Sequence, residues 1–258
     1  MQAIEVVAMG SREVREKPQQ IASWGRLVGF LLIGAGVVAL GFLAQHAPTG
    51  GAGTAAAGQL ANHGKAIQIY VTVGLMDWAL LYFCWTAVRG WGGNLETLSG
   101  GRWTSWKSVA VDLGIALPFW ILWEGTWYGV DWLLGHSGLA GTNTAKTLDS
   151  LLPRSPLEIV VWIGVSITAG ICEEIAFRGF LQRQLHALSG SIVVAVLGQG
   201  VVFGLFHAYQ GWQNVAVISV VGVLYGALAA WRGNLRANII THAWGDVWSG
   251  WLRAVVWK

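Results

Sequence analysis

Seven stretches of this chain, at roughly 27–44, 66–88, 108–134, 157–187, 191–208, 213–231 and 236–257, stay predominantly apolar for about 18 residues or more, long enough for a helix to cross a bilayer core of about 30 Å. A backbone in lipid must satisfy its own polar groups, and successive helices do so. The expected fold is therefore all-α: a polytopic membrane helical bundle of about seven transmembrane helices. Composition agrees, since 54% of the 258 residues are hydrophobic and 11% are charged, where a soluble domain carries about a quarter charged. Of the 17 tryptophans, Trp24, Trp85, Trp91, Trp103, Trp106, Trp212, Trp231 and Trp257 fall near the ends of apolar runs, where indoles favour the headgroup layer.

The net charge of +3 is spread over loops and the N-terminal segment. It forms no basic stripe, so nucleic acid is not an expected partner; the lipid bilayer is. Arg12, Arg15, Lys17 and Arg26 precede or open the first run, Arg89, Arg102 and Lys107 follow the second, and only Lys65 lies between, which predicts a cytoplasmic N-terminus. Cys84 and Cys172 both lie inside apolar runs, against a disulfide framework. No cleavage pattern follows the first run, so no cleaved signal peptide is expected. The chain divides into a polar N-terminal segment, 1–25, a set of transmembrane helices, 26–156, and a polar-studded helical core, 157–258; the expected location is the cell membrane. A loop rich in Gly, Ala and Thr, "QHAPTGGAGTAAAGQLANHGK", occupies 45–65.

Within that core, "ICEEIAFRGFLQRQL" sets Glu173, Glu174 and Arg178 inside an apolar run, where each charge is costly and marks a partner or a function. Ser155, Pro156 and Glu158 form a capping-box start for this helix, which places the glutamates mid-helix. If the next helix returns antiparallel from a turn near residue 190, Glu173 meets His207 at equal depth, and a carboxylate and an imidazole there suit a water held between them. Glu174 and Arg178, four apart, form an expected ion pair. Phe203 shares a face with His207, and His242 shares one with Asp246. On ideal straight helices His242 lies about 10 Å off the depth of His207, so tilt or a kink must close the gap.

These residues resemble the CPBP intramembrane endopeptidases, also called the Abi or CAAX protease type II family, whose motifs run EExxxR, FxxxH, then HxxxN or HxxxD on separate membrane helices. Here they appear in order as Glu173-Glu174 with Arg178, Phe203 with His207, and His242 with Asp246. The resemblance covers about 157–250. It implies an intramembrane endopeptidase in which Glu173, with His207, activates water against a peptide bond of a peptide or membrane-protein substrate. Glu174 and Arg178 fix the helix and the base, Phe203 shapes the site, and His242 with Asp246 serves the oxyanion. Because an ionised Asp246 repels an oxyanion, its expected part is to orient the His242 ring.

No cofactor is expected. Zinc held by a glutamate with His207 and His242 is the less favoured variant, since no HExxH helix is present. Asp77, Asp112, Glu124, Asp131 and Gln199 do not fit the scheme; as the lining of a water path they motivate a rival reading, a channel or proton-coupled transporter. A non-catalytic membrane scaffold or immunity protein is a second rival.

Overall fold

The computed structural model of the chain describes residues 19–45, 55–137 and 152–256. The polar segment up to residue 18, residues 46–54 of the predicted loop, the side chain of Asp131 and Trp257 lie outside the described residues, whereas Ala55 to Lys65, expected as loop, form the opening turns of α2, since their alanines are strong helix formers. In chain order the elements are α1 (Trp24–Gln45), α2 (Ala55–Arg89), α3 (Leu95–Ser99), α4 (Trp106–His136), α5 (Pro156–Glu173), a π-helical segment (Glu174–Gln182), α6 (Arg183–Ser189), α7 (Ile192–Phe206), a 3₁₀ turn (Ala208–Gln210), α8 (Trp212–Arg232) and α9 (Arg236–Val256).

All seven apolar runs are helical, and no strand occurs among the described residues. The protein is an all-α membrane helical bundle. Among the described residues, five helices are long and apolar enough to cross a membrane: Trp24–Leu43, Gly64–Arg89, Trp106–His136, Pro156–Ser189 and Trp212–Arg232. The other two runs differ from these for separate reasons. α7 has 15 residues, and α9 interrupts its apolar surface with Asn238, His242 and Asp246. Outward-facing leucines and valines along α1, α2, α4 and α7 are exposed, as surfaces that meet lipid tails are. Trp24, Trp91, Trp103, Trp106, Trp212 and Trp231, at or beside helix ends, are exposed as well.

The rod formed by α5, the π-helical segment and α6 is the centre of the bundle. Its entry is fixed by reciprocal bonds: Glu158 N donates to Ser155 Oγ at 3.3 Å, and Ser155 N donates to Glu158 Oε2 at 2.9 Å. Every residue of Glu174–Gln182 is buried, surrounded by α2, α3, α7, α8 and α6. Gly190, with φ of 69°, ends α6 in the left-handed conformation that glycine adopts without strain. α7 then returns along the rod and packs closely on α8. The expected hairpin register appears in the contact of Phe177 with Phe203, ring centroids 4.8 Å apart. Phe30, Phe180 and Phe206 complete this aromatic cluster. In lipid such contacts hold helices together by close packing rather than by exclusion of water.

One end of the bundle is basic. There Arg26 Nη1 donates to Thr86 Oγ1, Arg183 Nη1 donates to the Thr97 carbonyl, and Arg232 and Arg236 both grip Asp112. The glutamates lie about 25 Å from the start of α5 at 1.5 Å per residue, and a similar distance from Ser189, so they sit near mid-bundle.

Candidate active site

The π-helical segment begins at Glu174, the second of the two glutamates. Wider turns of this kind inside α-helices concentrate at functional sites, because they shift the side chains that follow relative to a regular helix. Here the segment still brings Arg178 back to Glu174: Arg178 Nη1 donates to Glu174 Oε1 at 2.9 Å, and neither side chain is exposed. The remaining bonds of Glu174 come from α9. His242 Nδ1 donates to the same Oε1 at 2.9 Å, and Asn238 Nδ2 donates to Oε2 at 3.1 Å. With three donors around it, the buried Glu174 carboxylate is compensated, as a charge in this setting must be.

Arg178 is held as closely. Its Nη2 donates to the Gly222 carbonyl at 3.3 Å, and its guanidinium lies 4.4 Å from the Phe203 ring centroid and 5.0 Å from that of Tyr225. These cation–π contacts assign Phe203 a definite task, offering its ring face to the buried guanidinium. The same ring meets His207 at 5.0 Å and His242 at 6.1 Å between centroids, so both imidazoles border it.

Glu173 differs from its neighbour. Its side chain is 14% exposed, makes no hydrogen bond among the described residues, and approaches His242 Nε2 at 3.7 Å. Asp246 Oδ2 approaches the same nitrogen from the other side, also at 3.7 Å. His242 therefore turns one nitrogen to Glu174 and the other toward Glu173 and Asp246. Adjacent helix positions point about 100° apart, and an imidazole across that wedge meets both.

The expected sharing of a water by Glu173 and His207 needs no direct contact, and no ion pair within 4.0 Å joins them; the imidazole in direct approach to Glu173 is that of His242. His207 caps α7 with φ of −100°, and its Nδ1 lies 2.9 Å from the Phe203 carbonyl. A carbonyl only accepts, so Nδ1 donates there and Nε2 is left to face away from that bond. The close fit of α5 on α9 brings His242 in. A Cβ at Gly170 would lie 2.7 Å from Ala243 N, so glycine there is a condition of that approach. The bond that orients the His242 ring comes from Glu174, the shorter contact, and not from Asp246.

Asn238 and Tyr225 belong to the site and were not anticipated. Asn238 also donates to the Tyr225 carbonyl at 2.9 Å, and the Tyr225 ring stacks on His242 at 5.4 Å. Asn238 had a legible signal, standing four residues before His242 on the face that Asp246 shares; a single Tyr in an apolar run had none. Asp112 accepts from Trp103, Arg232 and Arg236 at the basic end. Gln199 donates to the Gly222 carbonyl at 2.7 Å. Among the described residues, no three His, Cys, Asp or Glu side chains are grouped so as to hold a metal ion.

Residues 155–248 match the family model for type II CAAX prenyl endopeptidases, Rce1-like. The match runs from the cap of α5 to two residues beyond Asp246, and so contains every site residue described above. No curated protein and no solved structure matches the chain.

Proposed function

We propose, from the match of residues 155–248 to the type II CAAX prenyl endopeptidases, that this chain is a CPBP-type intramembrane endopeptidase whose base is Glu173. The observation that carries this reading is the division between neighbours. Glu174 is saturated by Arg178, His242 and Asn238, while Glu173 stands beside them without a hydrogen bond.

A carboxylate with no hydrogen bond to a described residue is available to take a proton from water. The resulting hydroxide attacks the peptide carbonyl carbon, and an oxyanion forms on the carbonyl oxygen. In this reading His242 carries two protons, one donated from Nδ1 to Glu174 and one on Nε2 aimed at the gap between Glu173 and Asp246; a donor held in advance stabilises an oxyanion without reorganising. His207, its Nδ1 tied to the Phe203 carbonyl, stands at the same depth by the hairpin register and assists in positioning the water through Nε2. Collapse of the tetrahedral adduct breaks the C–N bond, and the amine leaves with a proton. Substrates of this reading are membrane-associated proteins or peptides.

The test is hydrolysis of a quenched fluorescent peptide, with and without a farnesylated CAAX tail, by purified protein in proteoliposomes. Glu173→Gln keeps the size of the side chain but cannot take the proton, so the rate is expected to fall by about 10²- to 10⁴-fold, with the unfolding temperature in detergent unchanged or raised. A variant retaining a tenth of the wild-type rate moves the base elsewhere. Proton flux without cleavage favours the transporter instead. The reaction proposed needs no metal, so exhaustive chelation should leave the rate unaltered; loss on chelation with recovery on adding zinc replaces the glutamate mechanism with a zinc one.

A further inference from the structure

Asp77 lies on α2, outside the stretch that matches the family, yet the packing brings it to the site. α2 runs beside α5 in the same direction. Tyr70 stacks edge-on against Trp162 at 5.3 Å, and Gly74 faces Val165. Carried forward at the same offset, Asp77 comes level with Ala169, one helical turn before Glu173. Glu173, His242, Asp246, Cys172 and Tyr209 all lie within its electrostatic reach. Asp77 is 7% exposed, and its Oδ2 is buried without a hydrogen-bond partner.

An unpartnered buried oxygen on a carboxyl group requires an explanation. Charge arithmetic supplies one. Glu174 is matched by Arg178, which leaves Asp77, Glu173 and Asp246 around the single imidazole of His242. Three carboxylates and one imidazole in a bundle of low dielectric cannot all be ionised, and the proton is retained where water reaches least. Asp77 is buried whereas Glu173 and Asp246 are both partly exposed, so Asp77 is the most enclosed of the three.

We propose that Asp77 is a positioning residue of the active site, a carboxyl held neutral beside Glu173 that donates a hydrogen bond toward it and so leaves Glu173 as the one ionised, correctly aimed base. No bond to substrate is involved; Asp77 acts through Glu173. This rests on the peptidase reading of Glu173, although the neutrality of Asp77 does not.

The experiment compares wild type, Asp77→Asn and Asp77→Ala in two measurements. The first is infrared difference spectroscopy at neutral pH, with no substrate present. A band of a protonated carboxyl is expected in wild type and absent in Asp77→Asn; if the two spectra agree there, Asp77 is ionised and the proposal is overturned, whatever the protein cleaves. The second is cleavage of the farnesylated and unprenylated quenched peptides. Asp77→Asn remains a neutral donor and is expected to stay within about threefold of wild-type kcat, with a rate plateau extending further into the alkaline range. Asp77→Ala loses the donor and is expected to lose tenfold or more in kcat at little change in KM. An Asp77→Asn variant as inactive as Asp77→Ala, or an alanine variant with wild-type kcat per folded molecule, overturns the proposal. A wild-type protein that shows the infrared band but cleaves neither peptide contradicts the peptidase reading instead.

Discussion

Two buried carboxylates of this bundle are each gripped by cations, and their surroundings differ. At the basic end, Asp112 accepts from Arg232 at 2.9 Å, Arg236 at 2.8 Å and Trp103 at 3.0 Å. Those two arginines keep 22% and 17% of their side-chain surface exposed. Near mid-bundle, Glu174 is gripped by Arg178, His242 and Asn238, and Arg178 has no exposure at all. The first cluster ties α4 to α8 and α9 and contains no further acid. The second has Glu173, Asp246 and Asp77 within reach. A buried charge that is fully paired is architecture; chemistry is to be sought where acids outnumber the cations available to them.

The largest expected effect on function therefore lies at Glu173, whose glutamine variant separates activity from stability. The largest expected effect on stability lies one residue on. Removing either partner of the Glu174–Arg178 pair strands the other where no water reaches it, at a cost of about 3–5 kcal/mol. Glu174→Gln and Arg178→Ala should both lower the unfolding temperature and the yield in detergent. Glu174→Gln combined with Arg178→Met should recover part of that loss, because no charge is then left alone. The comparison collapses if Glu173→Gln is the destabilising change and Glu174→Gln is stable and inactive.

Much of this was legible in the sequence. Apolar runs gave the helices because lipid forces the backbone to bond internally. Ser155 and Glu158 announced the start of α5, and the turn at Gly190 set a hairpin register that Phe177 and Phe203 realise. Spacings of four placed Arg178 beside Glu174 and Asp246 beside His242. What could not be read concerns rotation and separation of helices. Straight ideal helices put His242 about 10 Å off the depth of the glutamates, and the close contact of α5 with α9 at Gly170 is what brings it in. A π-helical segment carries no residue pattern of its own. Asp77 is invisible for a related reason: its helix is separated from the motifs by about 80 residues of chain, and only the packing of α2 on α5 brings it near.

The smallest expected effect sharpens the same contrast from the other side. Asp112→Asn keeps the shape of its side chain and a carbonyl oxygen for one donor, and it leaves Arg232 and Arg236 without their counter-charge. Both arginines are partly exposed and sit at the end of the bundle, so water and lipid headgroups can take over part of what Asp112 supplied. The loss is that of charge-assisted hydrogen bonds rather than of a stranded ion, about 1–3 kcal/mol. Asp112→Asn should lower the unfolding temperature in detergent by clearly less than Glu174→Gln does, although both acids are equally enclosed. Cleavage per folded molecule should stay within about twofold of wild type, because no group of the Asp112 cluster reaches Glu173 or His242. If Asp112→Asn instead abolishes cleavage while the protein remains folded, the clamp at the basic end is coupled to the base through α9, and the two regions act as one site.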